Sequence, residues 1–141
     1  MKRSGENEPL RRIVILSSPI VSALDHQKAD FDHTKRGDIS LLTVRGVLDI
    51  TNSVDIKSEV IAIEEAGVRK VLVDLGALRQ IDSSGVGVLI SLFKRVRYVG
   101  GQVCFVGVSG QPREVLKILR MDRALDICPT LDEGLAKLGA L

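Results

Sequence analysis

The sequence predicts an α/β domain with a mixed sheet of about four strands, covered by four or five helices. Two observations carry this prediction. Short apolar runs at 70–74 and 102–106 flank a strongly apolar helix at about 84–99, and strands joined by a helical crossover pair in parallel. Within residues 27–45, a segment in which charged residues alternate with other side chains is followed by the turn-like segment 35–38 and an apolar run. This pattern is typical of an antiparallel hairpin. The predicted order of elements is β-β-α-β-α-β-α-α.

The remaining helices are predicted from capping residues and from the spacing of apolar residues. Residues 51–53 supply three candidate N-caps for a helix over 54–66, and Gly67 is placed to end it. Pro112 fits the first turn of a later helix. Residues 130–133 have the pattern of a capping box, which predicts the start of the last helix.

The domain is predicted to span residues 27–141, with residues 1–26 as an N-terminal extension that shows no sustained period. The apolar stretch 13–23 follows two arginines, as in a signal peptide, but Pro19 and several serines interrupt it. It is also far shorter than the roughly 20 residues that a membrane span needs. We therefore expect a cytoplasmic protein that does not enter a membrane.

Composition argues against a nucleic-acid or metal site. The formal net charge is only +2, its basic residues are scattered among acidic ones, and there is no Trp for stacking bases. Cys104 and Cys128 each lie in an apolar run, so we expect two buried, reduced thiols. His26 and His33 are far from both cysteines in sequence. We expect no metal, no cofactor and no direct contact with nucleic acid.

The sequence also lacks the patterns of common catalytic sites. Both histidines lie in the N-terminal third, and one of them is outside the predicted domain, so we expect no Ser-His-Asp arrangement. Gly85 and Gly87 hint at a dinucleotide-binding turn, but Ile90 occupies the position of the third glycine. There is no Gly-x-x-x-x-Gly-Lys phosphate loop. The sequence therefore predicts a protein that is not an enzyme.

The segment Asp-Ser-Ser-Gly at 82–85 opens the most apolar helix, and two interpretations of it stay open at this point. Asp82 and the serines are common helix caps, worth about 1 kcal/mol. Alternatively, Gly85 and Gly87 leave the first turn almost bare, so that another protein could approach Ser83 closely. A phosphoryl group there would add about −1.5 to −2 charges and alter whatever docks on the helix tip.

In its wider context the chain resembles a STAS domain, specifically an anti-sigma-factor antagonist, over about residues 27–139. Five segments carry the resemblance in the family's order: Gly-Val-Leu-Asp at 46–49, the central strand at 71–75, the signature Ile-Asp-Ser-Ser-Gly-Val-Gly-Val-Leu at 81–89, the turn and strand at 100–106, and the helix start at 129–133. The chain departs from the family at Arg120 and Met121, where many members carry Gly-Leu, and in its long N-terminal extension.

The resemblance implies a phosphorylation-controlled switch. The unphosphorylated protein would bind an anti-sigma factor that is itself a serine kinase, and so release a sigma factor. The kinase would transfer phosphate from ATP to Ser83, and a serine phosphatase would remove it. The residues expected to contact the partner surround this serine: Asp49, Thr51, Asp82, Ser83, Ser84, Gly85, Val86 and Gly87. Plain structural roles, as a turn residue for Asp49 and an N-cap for Asp82, remain alternatives.

Two other functions fit the same family. The chain could act without phosphorylation, as a scaffold or as a module associated with a lipid transporter. It could also be a nucleotide-sensing STAS domain. Binding to a larger assembly regardless of the state of Ser83 would favour the first, and stabilisation by nucleotide without any kinase would favour the second.

Overall fold

A computed structural model describes residues 28–139, so the predicted extension 1–26 lies outside the described residues. In this part of the chain the structure has six strands and five helices. The elements are β1 Asp30–Arg36, β2 Ile39–Leu48, α1 Ser53–Glu65, β3 Lys70–Asp74, β4 Leu78–Ile81, α2 Ser83–Tyr98, β5 Gln102–Val106, α3 Gly110–Ile118, α4 Met121–Ala124, β6 Ile127–Cys128 and α5 Leu131–Lys137.

The sheet is mixed, as predicted. Its strand order is β1-β2-β3-β5-β6, and β4 pairs with β2 beside this path. Strands β1 and β2 form the predicted antiparallel hairpin, from Asp30 opposite Arg45 to Arg36 opposite Ile39. The other pairings are parallel. Strand β2 is long enough to pair first with β3 and then with β4, and its register with β4 shifts after Gly46, which has a φ of +75°.

The predicted number of strands was wrong, because β4 and β6 were not expected. In β4 two exposed residues, Arg79 and Gln80, stand between the buried Leu78 and Ile81, so the segment has neither strict alternation nor an apolar run. Strand β6 has only two residues. Both strands depend on pairing with distant parts of the chain, which a local pattern does not reveal.

Helices cover both faces of the sheet. Neighbouring residues of β3 and β5 belong to different apolar clusters, since successive side chains of a strand point to opposite faces. The larger cluster joins the sheet to α1, α2 and α3, whereas the smaller one joins it to the C-terminal helix. Helix α2, which begins at Ser83, is therefore anchored along its length by buried residues such as Leu89 and Val96.

The two cysteines lie in the smaller cluster. Cys104 and Cys128 are buried and free, with their Sγ atoms 3.2 Å apart on neighbouring strands. Burial, together with the contact to Cys128, raises the pKa of Cys104 to about 12. The prediction that both cysteines are buried thiols is confirmed.

Residue 120, an arginine where the resemblance implies a glycine, has a glycine-like backbone conformation. Arg120 follows α3 with a φ of +61° and is the one non-glycine residue with a positive φ within residues 28–139. Such a left-handed conformation is costly for a residue with a Cβ atom and free of strain for glycine. The arginine therefore takes over a turn that a glycine would make more easily.

Candidate functional site

The candidate site lies where β2 and β4 end. These two strands are parallel neighbours, and Leu48 pairs with Ile81. The segments that follow them, 49–52 and 82–85, therefore leave the same edge of the sheet side by side. The structure thus brings together two groups of predicted site residues that lie more than 30 positions apart in sequence.

Asp82 connects the two segments. It is the N-cap of α2, and its Oδ1 atom accepts a hydrogen bond from the backbone N–H of Gly85 at 3.0 Å. Its Oδ2 atom accepts from the backbone N–H of Ile50 at 3.1 Å, and its own N–H donates to the carbonyl of Leu48 at 3.2 Å. The carboxylate therefore caps the helix and also holds the loop after β2. The capping interpretation is correct, and it does not exclude a role in the site.

Asp49 organises that loop. Its Oδ1 atom accepts hydrogen bonds from the Thr51 hydroxyl at 2.5 Å and from the Thr51 backbone N–H at 2.9 Å. These bonds, with the hydroxyl of Thr51 first, lower the pKa of Asp49. Asp49 consequently carries a negative charge at neutral pH, close to the start of α2.

Asn52 was predicted only as a possible helix cap, and the structure gives it another role. It stands at the N-cap of α1, but its side chain makes no capping bond. Instead its amide donates to the carbonyl of Val47 at 2.8 Å and accepts from the N–H of Asp49 at 2.9 Å. Only 4% of Asn52 is exposed. The loop after β2 is therefore held by hydrogen bonds of its own residues Asp49 and Asn52 and by the hydrogen bond to Asp82.

Ser83 is exposed at the first position of α2. No hydrogen bond engages its hydroxyl among the residues that the structure describes. Ser84 is partly buried, and Gly87 is exposed with nothing within 4 Å of the position of an added Cβ. The side of the first turn that carries Ser83 and Gly87 is thus open.

Gly85 and Val86 point the other way. A Cβ atom on Gly85 would lie 2.6 Å from Cγ1 of Ile81 and 2.7 Å from the carbonyl oxygen of Leu48. Val86 is only 2% exposed. These two predicted contact residues pack the helix onto the ends of β2 and β4 and do not face the open side of the first turn.

Two apolar side chains beside the site were not predicted from the sequence. Ile50 and Val54 are 74% and 57% exposed. Ile50 is in the loop held by Asp82, and Val54 is in the first turn of α1. An isoleucine within an otherwise polar turn was the signal that could have found this pair.

Gln111 was also missed. This residue of α3 accepts a hydrogen bond from the N–H of Ile81 at 2.8 Å and donates one to the carbonyl of Ile81 at 2.9 Å. Strand β4 pairs with β2 on one side, and the Gln111 amide satisfies the backbone of Ile81 on the other. It thereby positions the residue that precedes Asp82. A glutamine in a first helical turn is too common for the sequence to reveal this role.

A cavity in the described part of the chain lies away from this site. It has a volume of about 580 Å³ and lies at the carboxyl ends of β5 and β6, between α3 and α4. No predicted site residue lines it. Within residues 28–139, no group of three or more His, Cys, Asp or Glu side chains could hold a metal ion. None of the helices in this range is both long and apolar enough to cross a bilayer.

Two known proteins that are similar in sequence are both assigned as candidate anti-sigma factor antagonists. The chain is 33% identical over 72 residues to the TM1081 homologue of Thermotoga neapolitana, assigned as a candidate anti-sigma factor antagonist. It is 32% identical over 75 residues to BtrV of Bordetella bronchiseptica, assigned in the same way. The matches cover 51% and 53% of this chain, and 64% and 65% of these relatives. They therefore span slightly less than two thirds of each relative.

Solved structures share the fold. TM1081 of Thermotoga maritima, a candidate anti-sigma factor antagonist, is 25% identical with a TM-score of 0.72, over 77% of this chain and 93% of that one. SpoIIAA of Bacillus in its phosphorylated form is 18% identical with a TM-score of 0.62, over 77% and 98% of the two chains. The model of the STAS domain family matches residues 30–134. The chain therefore belongs to the STAS domain family, and the predicted STAS-like fold is confirmed.

Proposed function

We propose that this protein is an anti-sigma factor antagonist whose unphosphorylated form binds an anti-sigma factor serine kinase and so releases a sigma factor. Phosphorylation of Ser83 by that kinase ends the binding, and a serine phosphatase restores it. The protein is a regulator and not an enzyme, it acts in the cytoplasm, and the ATP is used by the partner. The observation that carries the proposal is Ser83, exposed at the first position of α2, whose hydroxyl has no hydrogen bond to any residue within 28–139.

Ser83 is accessible as a phosphoryl acceptor. Its hydroxyl oxygen forms the new bond to the γ-phosphorus of ATP while the bond to the bridging oxygen of ADP breaks, and the hydroxyl proton passes to a base of the kinase. The acceptor must therefore enter the partner's active site. A serine at the first position of a helix, with the open Gly87 nearby, can do so without unfolding α2.

Phosphorylation would change the charge of this surface sharply. Asp49 and Asp82 already contribute carboxylates to it, and the phosphate adds about −1.5 to −2 charges. The helix N-terminus favours an anion, so α2 stays folded and the effect falls on the partner. Directly after transfer, the phosphates of ADP lie beside the new phosphate in the kinase active site, and like charges at short range repel. SpoIIAA, which shares this fold, has been solved in both unphosphorylated and phosphorylated forms. That a protein of this fold exists in both forms supports the proposal that phosphorylation controls this protein.

The experiment uses kinases of the source organism with a histidine-kinase-like ATPase fold, each incubated with this protein and labelled ATP. Wild type and Ser84→Ala should be labelled, and Ser83→Ala should not. Ser83→Ala should bind the responsible kinase like the wild type, whereas Ser83→Asp should lose binding. Equal binding of Ser83→Ala and Ser83→Asp would overturn the proposal, and loss of labelling in Ser84→Ala alone would move the modified serine by one residue.

A further inference from the structure

We propose that Ile50 and Val54 form the apolar contact through which the anti-sigma factor kinase holds this protein, while the state of Ser83 decides whether the complex survives. This inference rests on the proposed function and adds to it the source of the affinity. In the part of the chain that the structure describes, few large apolar side chains are strongly exposed, and two of them, Ile50 and Val54, lie beside the site.

The position of Ile50 links it to the phosphorylated residue. Its backbone N–H is bonded to Asp82 at 3.1 Å, and Asp82 directly precedes Ser83. Helices α1 and α2 pack against each other and begin at the same edge of the sheet, which places the first turn of α1, with Val54, on the same side. A protein whose active site closes over the Ser83 hydroxyl therefore also covers this apolar pair.

Hydrogen bonds hold the loop that carries Ile50 in one conformation, which lowers the cost of binding. Asp49 and Thr51 are bonded to each other on either side of it, and Asn52 fixes the loop to the carbonyl of Val47. A side chain presented by an ordered backbone loses little conformational entropy when a partner covers it. Covering two exposed apolar side chains also removes their surface from water, which favours association.

The two parts of the surface have different effects. Contact with Ile50 and Val54 is apolar, so its strength does not depend on the phosphate. After transfer, the charge at Ser83 repels the nucleotide in the kinase active site, and the complex dissociates. The partner that fits is therefore a kinase with an apolar socket beside its nucleotide site. Loss of the apolar contact weakens binding before and after transfer equally, which raises KM and leaves kcat unchanged.

The test compares Ile50→Ser with Ile118→Ser. Ile118 is 76% exposed, against 74% for Ile50. It is the last residue of α3, whereas Gln111, which contacts Ile81 beside the site, is in the first turn of that helix. This gives a control with the same chemistry and the same exposure away from the site. Both variants should keep the thermal midpoint of the wild type, because neither side chain is buried. Binding to the kinase that labels Ser83, loaded with a non-hydrolysable ATP analogue, is measured by calorimetry.

Ile50→Ser should raise Kd and the KM for phosphorylation by about ten- to a hundredfold with kcat unchanged, and Val54→Ser should raise both in the same direction. Ile50→Leu should restore binding, and Ile118→Ser should match the wild type. If Ser83 is labelled but Ile50→Ser and Ile118→Ser bind alike, the apolar anchor is refuted and the switch stands. If no kinase of the source organism labels Ser83, the proposed function fails and the anchor with it.

Discussion

Replacing Gly87 by alanine should stabilise this domain, whereas replacing Gly85 by alanine should leave it clearly less stable than the Gly87 variant. The two glycines lie in the same part of α2, and neither has a positive φ. Both replacements gain helix propensity, about 1 kcal/mol in a helix interior. The new Cβ atom at Gly87 meets nothing within 4 Å, but at Gly85 it lies 2.7 Å from the backbone carbonyl of Leu48 and 2.6 Å from Ile81.

The contact at Gly85 decides the magnitude. A strand backbone cannot move aside without disturbing the sheet, and overpacking of this kind costs about 1–3 kcal/mol. Because the propensity gain is common to both variants, the difference in their unfolding free energies isolates this cost. We expect Gly87→Ala to gain about 0.5–1 kcal/mol and Gly85→Ala to lie about 1–3 kcal/mol below it.

The assay is urea denaturation followed by circular dichroism, with the midpoint and the slope fitted for each variant. Equal slopes would show that the two variants differ in stability and not in the surface exposed on unfolding. If Gly85→Ala is as stable as Gly87→Ala, then α2 does not approach β2 and β4 as closely as described. The explanation of Gly85 by close packing would then be refuted.

Three further outcomes follow from the structure. Gln111→Leu should cost about 1–3 kcal/mol in urea denaturation, since two hydrogen bonds to Ile81 are lost, and should speed amide hydrogen exchange at Ile81. Arg120→Gly should stabilise the domain by about 1 kcal/mol, because glycine adopts a φ of +61° without strain, and an unchanged midpoint would contradict this. The lowered pKa of Asp49 stabilises the fold above the carboxyl's unfolded pKa, near 4, so the stability advantage over Asp49→Asn should shrink as pH falls below that value.

Much of the fold could be predicted from local patterns. The apolar runs of β3 and β5, the hairpin of β1 and β2, and the three longer helices each carry a signal within their own residues. Strand β4 carries none, because its two central residues face solvent and its stability comes from pairing with β2 and from Gln111. The short α4 and β6 were missed for another reason, because so few residues contain too little periodicity to be recognised.

In the site, too, some features have a local signal in the sequence and others depend on distant parts of the chain. The motif at 82–85 and its place at the start of an apolar helix are properties of the sequence, and they were enough to select Ser83 and to suggest a capping role for Asp82. The bond between Asp82 and Ile50 joins residues more than 30 positions apart and has no local signature. Ile50 therefore entered the site only when the two loops were placed together.

Periodicity, capping and the motif at 82–85 predict the type of domain and point to Ser83 as the proposed modification site, because each of them is a local property of the chain. Which side of each residue faces solvent is known only from the packing of the folded chain. Gly85 and Gly87 look alike in the sequence, yet one is packed against the carbonyl of Leu48 and the other is open. The physical reason is that burial depends on which distant backbone lies opposite a side chain, and here that is set by the parallel pairing of β2 with β4.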